Sequence, residues 1–122
     1  MNNFSEVVSL FSGLQSVEGI LIVDRDGLVI ASSFPDSDTA MQAAPLMSTI
    51  QTDVSRHLSQ IGETANQICM ILNGRLIIIQ SVLDTALVVF SKKKDLNLLQ
   101  TKISEASVLL ERIAAHAEFL NT

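Results

Sequence analysis

The apolar positions of this chain change their period from segment to segment, and each change marks an element. Phe4, Val7, Val8, Phe11 and Leu14 fall on one helical face. Asn3 caps that first helix, with Glu6 as its capping-box partner, and Gly13 ends it. Gly19 to Val23 is a β-branched run that reads as a strand, and Leu28 to Ser32 returns as its partner. Between them, Asp24-Arg25-Asp26-Gly27 is a turn in which Gly27 suits a positive φ. Phe34 to Asp38 is a loop rich in helix caps. A long helix follows to about Ile61, with Gly62 as its stop. Three more strands span Ala65 to Leu72, Arg75 to Val82 and Ala86 to Ser91. Asn73-Gly74 is a two-residue hairpin signal, because both turn residues need positive φ, and Leu83-Asp84-Thr85 forms the next turn. The last helix runs from a cap at Asp95 to near Leu120. Leu99, Ile103, Ala106, Leu110, Ile113, Ala117 and Leu120 step along it by four and three. That spacing suits a helix lying on a sheet better than a coiled coil.

The middle helix carries more apolar surface than one contact needs. At about 100° per residue, Ala40, Ala43, Ala44, Leu46, Met47, Ile50, Val54, Leu58 and Ile61 spread over an arc of about 160°. One flank holds the small or polar residues Ala40, Ala44, Ser48, Gln51 and Ser55, which either let a second helix approach closely or form an ordinary half-exposed flank. Pro45 conflicts with a regular helix, since it lacks an N–H and crowds the preceding turn. The sequence predicts either a kink near Met41 or a helix that starts properly only around Ala44.

Strands with one wet face alternate apolar and polar residues. Here Ile20 to Val23, Leu28 to Ala31, Leu76 to Ile79 and Ala86 to Phe90 are apolar at consecutive positions. Both faces of the sheet therefore need cover, two helices on one side and one on the other. The short links make the hairpins antiparallel, so the class is α+β. Ile68 to Leu72 has neither Pro nor charge, and at a sheet edge it would invite pairing with another chain.

The length of 122 residues fits one domain, 1–122. Net charge is −5, so the basic footprint of a nucleic-acid binder is missing. Lys92-Lys93-Lys94 reads as a solvated loop. The single cysteine, Cys69, lies in an apolar run and reads as a small buried hydrophobe. The N-terminus lacks the basic start and apolar stretch of a secretion signal, and no run is long enough to span a bilayer, which points to the cytoplasm. Catalytic chemistry is not visible. His57 and His116 fall on different helices and read as solvent-facing, and neither has metal-ligand spacing to Cys69. Asp24, Asp26 and Asp36 read as turn formers rather than calcium ligands. Arg56 and Arg75 read as ordinary surface arginines rather than arginine fingers. No catalytic residue, metal or cofactor is expected.

The run Val17-Glu18-Gly19-Ile20-Leu21-Ile22-Val23-Asp24-Arg25-Asp26-Gly27-Leu28-Val29-Ile30-Ala31-Ser32, followed by Asn73-Gly74-Arg75-Leu76-Ile77-Ile78-Ile79, Leu87-Val88-Val89-Phe90 and a closing amphipathic helix, resembles the Roadblock family. That family includes dynein light chains, late-endosomal scaffold subunits and the bacterial MglB-type regulators of a small Ras-like GTPase. The resemblance implies a profilin-like three-layer α/β/α sandwich around a five-stranded antiparallel sheet of order 2-1-5-4-3. The first and third helices would lie on one face and the second on the other. It also implies a homodimer made by pairing the third strand with its copy and packing the middle helices together. The candidate interface is Ala40, Ala44, Met47, Ser48, Gln51 and Ser55 on the helix, with Gln67, Ile68, Cys69, Met70 and Ile71 on the strand.

The expected function is a non-catalytic homodimeric module that binds and regulates a small Ras-like GTPase. The alternative is a dynein light chain-like adapter or scaffold subunit, for a motor or scaffold protein, without GTPase regulation. A small-molecule sensor fits less well, because aromatic residues are only 4% and an aromatic-lined pocket is hard to build from them.

Overall fold

The computed structural model describes residues 4–92 and 96–121, with side chains as far as His116 in the last helix. The expected caps Asn3 and Asp95 lie outside the described residues. The elements are α1 (Phe4–Ser9), β1 (Val17–Asp24), β2 (Val29–Ser32), α2 (Ser37–Ser59), β3 (Gln67–Leu72), β4 (Arg75–Val82), β5 (Thr85–Ser91) and α3 (Leu96–Asn121). The strands form one sheet in the order β2-β1-β5-β4-β3, every neighbouring pair antiparallel. That is the order the family resemblance implied. Strand boundaries differ from the sequence expectation by a residue or two. β1 is longer at both ends than expected, Val17–Asp24, and at β3 Ala65 and Asn66 precede the regular strand.

Two apolar layers sandwich the sheet. On one side Ile20, Ile22, Leu76, Ile78, Leu87 and Val89 meet Val7 and Phe11 of the N-terminal segment and Leu99, Ile103, Ala106 and Leu110 of α3. All are buried. On the other side Leu21, Val23, Ile79, Ala86 and Val88 meet Ala40, Ala44 and Met47 of α2. Alternate strand residues supply the two layers, which is why neither face could be polar.

The helix α2 begins at Ser37 and is continuous past Pro45, so the predicted late start near Ala44 is incorrect. Two features outweigh the proline. The Asp36 carboxylate caps the helix by accepting from the Asp38 N–H at 2.9 Å and the Thr39 hydroxyl at 3.1 Å. Ala40 and Ala44, one turn apart, are locked against the sheet. Gly62, at φ 74°, ends the segment as expected: its N–H bonds to the Ser59 carbonyl at 3.1 Å, and the Glu63 N–H to that of Leu58 at 3.0 Å.

The β1–β2 turn is fixed by Asp24, whose Oδ1 accepts from the N–H groups of Asp26 and Leu28 at 2.9 and 3.0 Å. Gly27 sits there at φ 83°, directly beneath α2, and a Cβ on it would lie 3.2 Å from the Pro45 Cα.

Two stability outcomes follow from this packing. Ile103→Ala, in the sealed layer, is expected to cost about 2–5 kcal/mol, whereas Val108→Ala on the outer side of α3 stays within about 0.5 kcal/mol. Gly27→Ala is expected to cost about 1–3 kcal/mol through its backbone conformation and its approach to Pro45. Urea unfolding monitored by circular dichroism measures all three.

Candidate functional site

The two faces of the sheet are not equally covered. On the α1/α3 side the layer is closed over β1, β5 and β4. On the other side α2 packs chiefly over β1 and β2 and reaches Ala86 and Val88 of β5 and Ile79 of β4. Beyond it, Ile77 and Phe90 of β4 and β5 and Ile68 and Met70 of β3 are only half-buried, and Leu72 is 46% exposed. Register explains their common face. Ile68 lies opposite Ile79, Met70 opposite Ile77 and Leu72 opposite Arg75, so all point to the α2 side. The expectation that three helices would cover both faces is therefore met on one face and only in part on the other.

The wall of this open trough is one flank of α2. Thr39 lines an apolar pocket of about 260 Å³ together with Phe34, Leu72, Ile77 and Phe90. Ala43, Leu46, Ile50 and Val54 continue the same stripe at helical spacing. Ala43 and Ile50 are half-buried against the layer, and Leu46 is 56% exposed. Phe34 reaches into the pocket because Gly19 beneath it has no side chain: a Cβ there would collide with the phenyl ring. The ring meets Phe90 edge-on at 5.2 Å between centroids. Glu18 and Arg75 close the pocket mouth with an ion pair at 3.2 Å.

The opposite flank of α2 is polar. Ser48, Gln51, Thr52 and Ser55 line a crevice of about 440 Å³ against the β1–β2 and β4–β5 turns. Ser48 donates to the Arg25 carbonyl at 3.4 Å, Gln51 bonds to Ser81, and an Arg25–Asp84 ion pair ties the two turns together. Among the described residues no His, Cys, Asp and Glu group is placed to hold a metal ion. His57 and His116 are exposed, on α2 and α3. Arg56 pairs with Asp53 on its own helix at 3.1 Å.

These placements alter the residue-level expectations. Ala40, Ala44 and Met47 belong to the chain's own core; Ala44 is 0% exposed and has no surface to give a partner. Ser48, Gln51 and Ser55 face the polar crevice. The apolar flank with Leu46, Ile50 and Val54 was within the predicted arc but not singled out. Its signal was the arc's width, since a single sheet contact uses only part of it. On β3, Ile68 and Met70 face the trough, while Gln67, Cys69 and Ile71 point to the α3 side. There Gln67 donates to Gln80 and Gln100, at 2.8 and 2.9 Å. Cys69 is exposed, not buried as expected, because β3 is the edge strand and α3 does not extend over that position. Its thiol donates to the Gln67 side-chain carbonyl at 3.3 Å, and partial desolvation raises its pKa.

Among the described residues no helix is long and apolar enough to cross a membrane. No curated protein sequence matches the chain significantly. Solved structures do match its fold. A Roadblock/LC7 domain from Streptomyces avermitilis superposes with a TM-score of 0.83 at 18% identity, over 90% of this chain and 96% of that one. MglB from Myxococcus xanthus gives 0.83 at 18% identity, over 95% and 92%. The gliding protein MglB from Thermus thermophilus gives 0.84 at 18% identity, over 93% and 90%. Profilin IA from Acanthamoeba castellanii gives 0.67 at 14% identity, over 93% and 99%, which accounts for the shared strand order. The Roadblock/LC7 domain model matches residues 4–91, from the start of α1 to the end of β5. With the half-covered sheet and the bare edge already described, this match identifies the chain as a member of the Roadblock/LC7 family.

Proposed function

We propose that this chain is a non-catalytic homodimeric module that binds and regulates a small Ras-like GTPase. The observation that carries the dimer is the set of half-buried apolar residues on this face, Ile50 of α2, Ile77, Phe90, Ile68 and Met70, which ends at the edge strand β3. A second copy supplies both things the trough lacks: an apolar helix flank to cover Ile77, Phe90 and Met70, and a strand to satisfy the edge. The other edge is a poor competitor, because β2 has only four residues and the loop after it contains Pro35.

The GTPase assignment rests on family membership and on the likeness to MglB, since MglB-type proteins regulate a small Ras-like GTPase. The α2 contact proposed for the dimer is the Ala43, Leu46, Ile50 and Val54 flank, in place of the Ala40, Ala44, Ser48 flank. Cytoplasmic residence is part of the same reading.

Leu46→Arg or Met70→Lys is expected to give folded monomers, with dimer dissociation raised by about 30-fold or more, the range of a central interface anchor. Ala44→Arg is expected to unfold the chain instead. Light scattering after size exclusion, with circular dichroism beside it, separates the two results. A wild-type monomer at about ten times typical micromolar dimer constants would defeat the dimer. For the partner, the dimer is incubated with Ras-like GTPases encoded nearby, loaded with GDP or a GTP analogue, and binding and hydrolysis are measured. Binding selective for one nucleotide state supports regulation. No binding in either state, with a motor or scaffold subunit recovered instead, returns the adapter reading.

A further inference from the structure

We infer that β3 meets the second copy about a two-fold axis at Cys69, so that Cys69 lies directly opposite its own copy. This inference rests on the dimer reading and specifies its register.

The argument comes from the backbone groups of β3. In an antiparallel ladder, successive residues turn their N–H and C=O alternately toward one neighbour and the other. The Ser81 N–H bonds to the Asn66 carbonyl at 2.8 Å, so Asn66 turns toward β4. The turn at Asn73-Gly74 agrees, since Leu72 and Arg75 form its closing pair. Ile68, Met70 and Leu72 therefore spend their backbone groups on β4. Gln67, Cys69 and Ile71 turn theirs outward, each with one donor and one acceptor.

Two-fold pairing must set outward residues against outward residues. With the axis at Cys69, Cys69 meets Cys69, and Gln67 and Ile71 meet each other twice. Every outward group of the regular strand is then bonded. Moving the axis to Met70 sets Gln67 against Asn73, which is in the turn. Moving it to Ile68 sets Ile71 against Ala65, which precedes the strand. Both shifts leave backbone groups of the strand without a regular partner.

The side chains accept the same register. On the trough side, Ile68 stands opposite the second copy's Met70, in the close-spaced type of pair. The two trough floors then join into one apolar surface. The segment 67–72 carries no charge, so like charges do not oppose the pairing.

The single native cysteine makes the register measurable. Opposed residues in a bonded pair have Cα atoms about 5.5 Å apart, within disulfide range. A diagonal pair, at about 7–8 Å, lies beyond it. The full-length dimer is treated with copper–phenanthroline and dioxygen as oxidant, which accepts the electrons and protons released as two thiols join. Wild type is expected to form a disulfide-linked dimer at least about tenfold faster than the C69S/M70C variant. The reverse order, or a dimer whose Cys69 stays reduced, overturns the register while leaving the dimer intact. A monomer by light scattering before oxidation removes the dimer reading instead.

A second pair of variants tests the parity without thiol chemistry. Cys69→Pro deletes an outward N–H and is expected to give a folded monomer. Met70→Pro deletes an inward N–H and is expected to lower Tm sharply or unfold the chain. A Cys69→Pro variant that remains a dimer, or a Met70→Pro variant as stable as wild type, overturns the assignment.

Discussion

The structure depends on one imbalance of apolar cover. The sheet is aliphatic on both faces, and a buried aliphatic side chain contributes roughly 1.5–3 kcal/mol. On one face α1 and α3 together close the layer. On the other a single helix must serve the same width of sheet, and one helix is only about 10–12 Å across with its side chains. The strands at the far end are therefore left half-covered, and the edge strand β3 has a strand neighbour on one side only.

The helix α2 answers this imbalance with three different surfaces. Ala40, Ala44 and Met47 lie on the chain's own sheet. The hydroxyl-bearing flank with Ser48 and Ser55 sits over two turns that are already tied by hydrogen bonds and an ion pair. The third flank, with Leu46 and Ile50, borders the uncovered strands. The polar crevice contains hydroxyls, an amide and one exposed ion pair. An exposed ion pair of this kind contributes little to stability, about 0–1 kcal/mol.

Much of this was legible in the amino-acid order. Unbroken aliphatic runs such as Ile20 to Val23 announced a two-sided sheet, and Asn73-Gly74 marked the β3–β4 hairpin, although Gly74, at φ 77°, takes the positive φ expected of both turn residues and Asn73 does not. The errors have specific causes. Local geometry makes Pro45 a break; the Asp36 cap that opposes it is local too, but the burial of Ala40 and Ala44 against the sheet is a tertiary effect that no window of sequence contains. Cys69 was judged by its apolar neighbours, yet exposure at an edge depends on where the sheet ends. The helix flank was chosen for small residues. The face α2 turns to the sheet is the one carrying Ala40, Ala44 and Met47, and Gly27, eighteen residues before Pro45, leaves the room for the helix to lie there.

The closed layer beneath α3 has its own implication. Since Leu99, Ile103, Ala106 and Leu110, with Leu109 and Ile113 beside them, supply the packing on the inner side, the exposed positions Thr101, Glu105 and Val108 carry little of it. That exterior can change its chemistry through drift or selection without disturbing either the core or the rim where strands are left bare. Substitutions there are therefore felt by the solvent and not by the sheet.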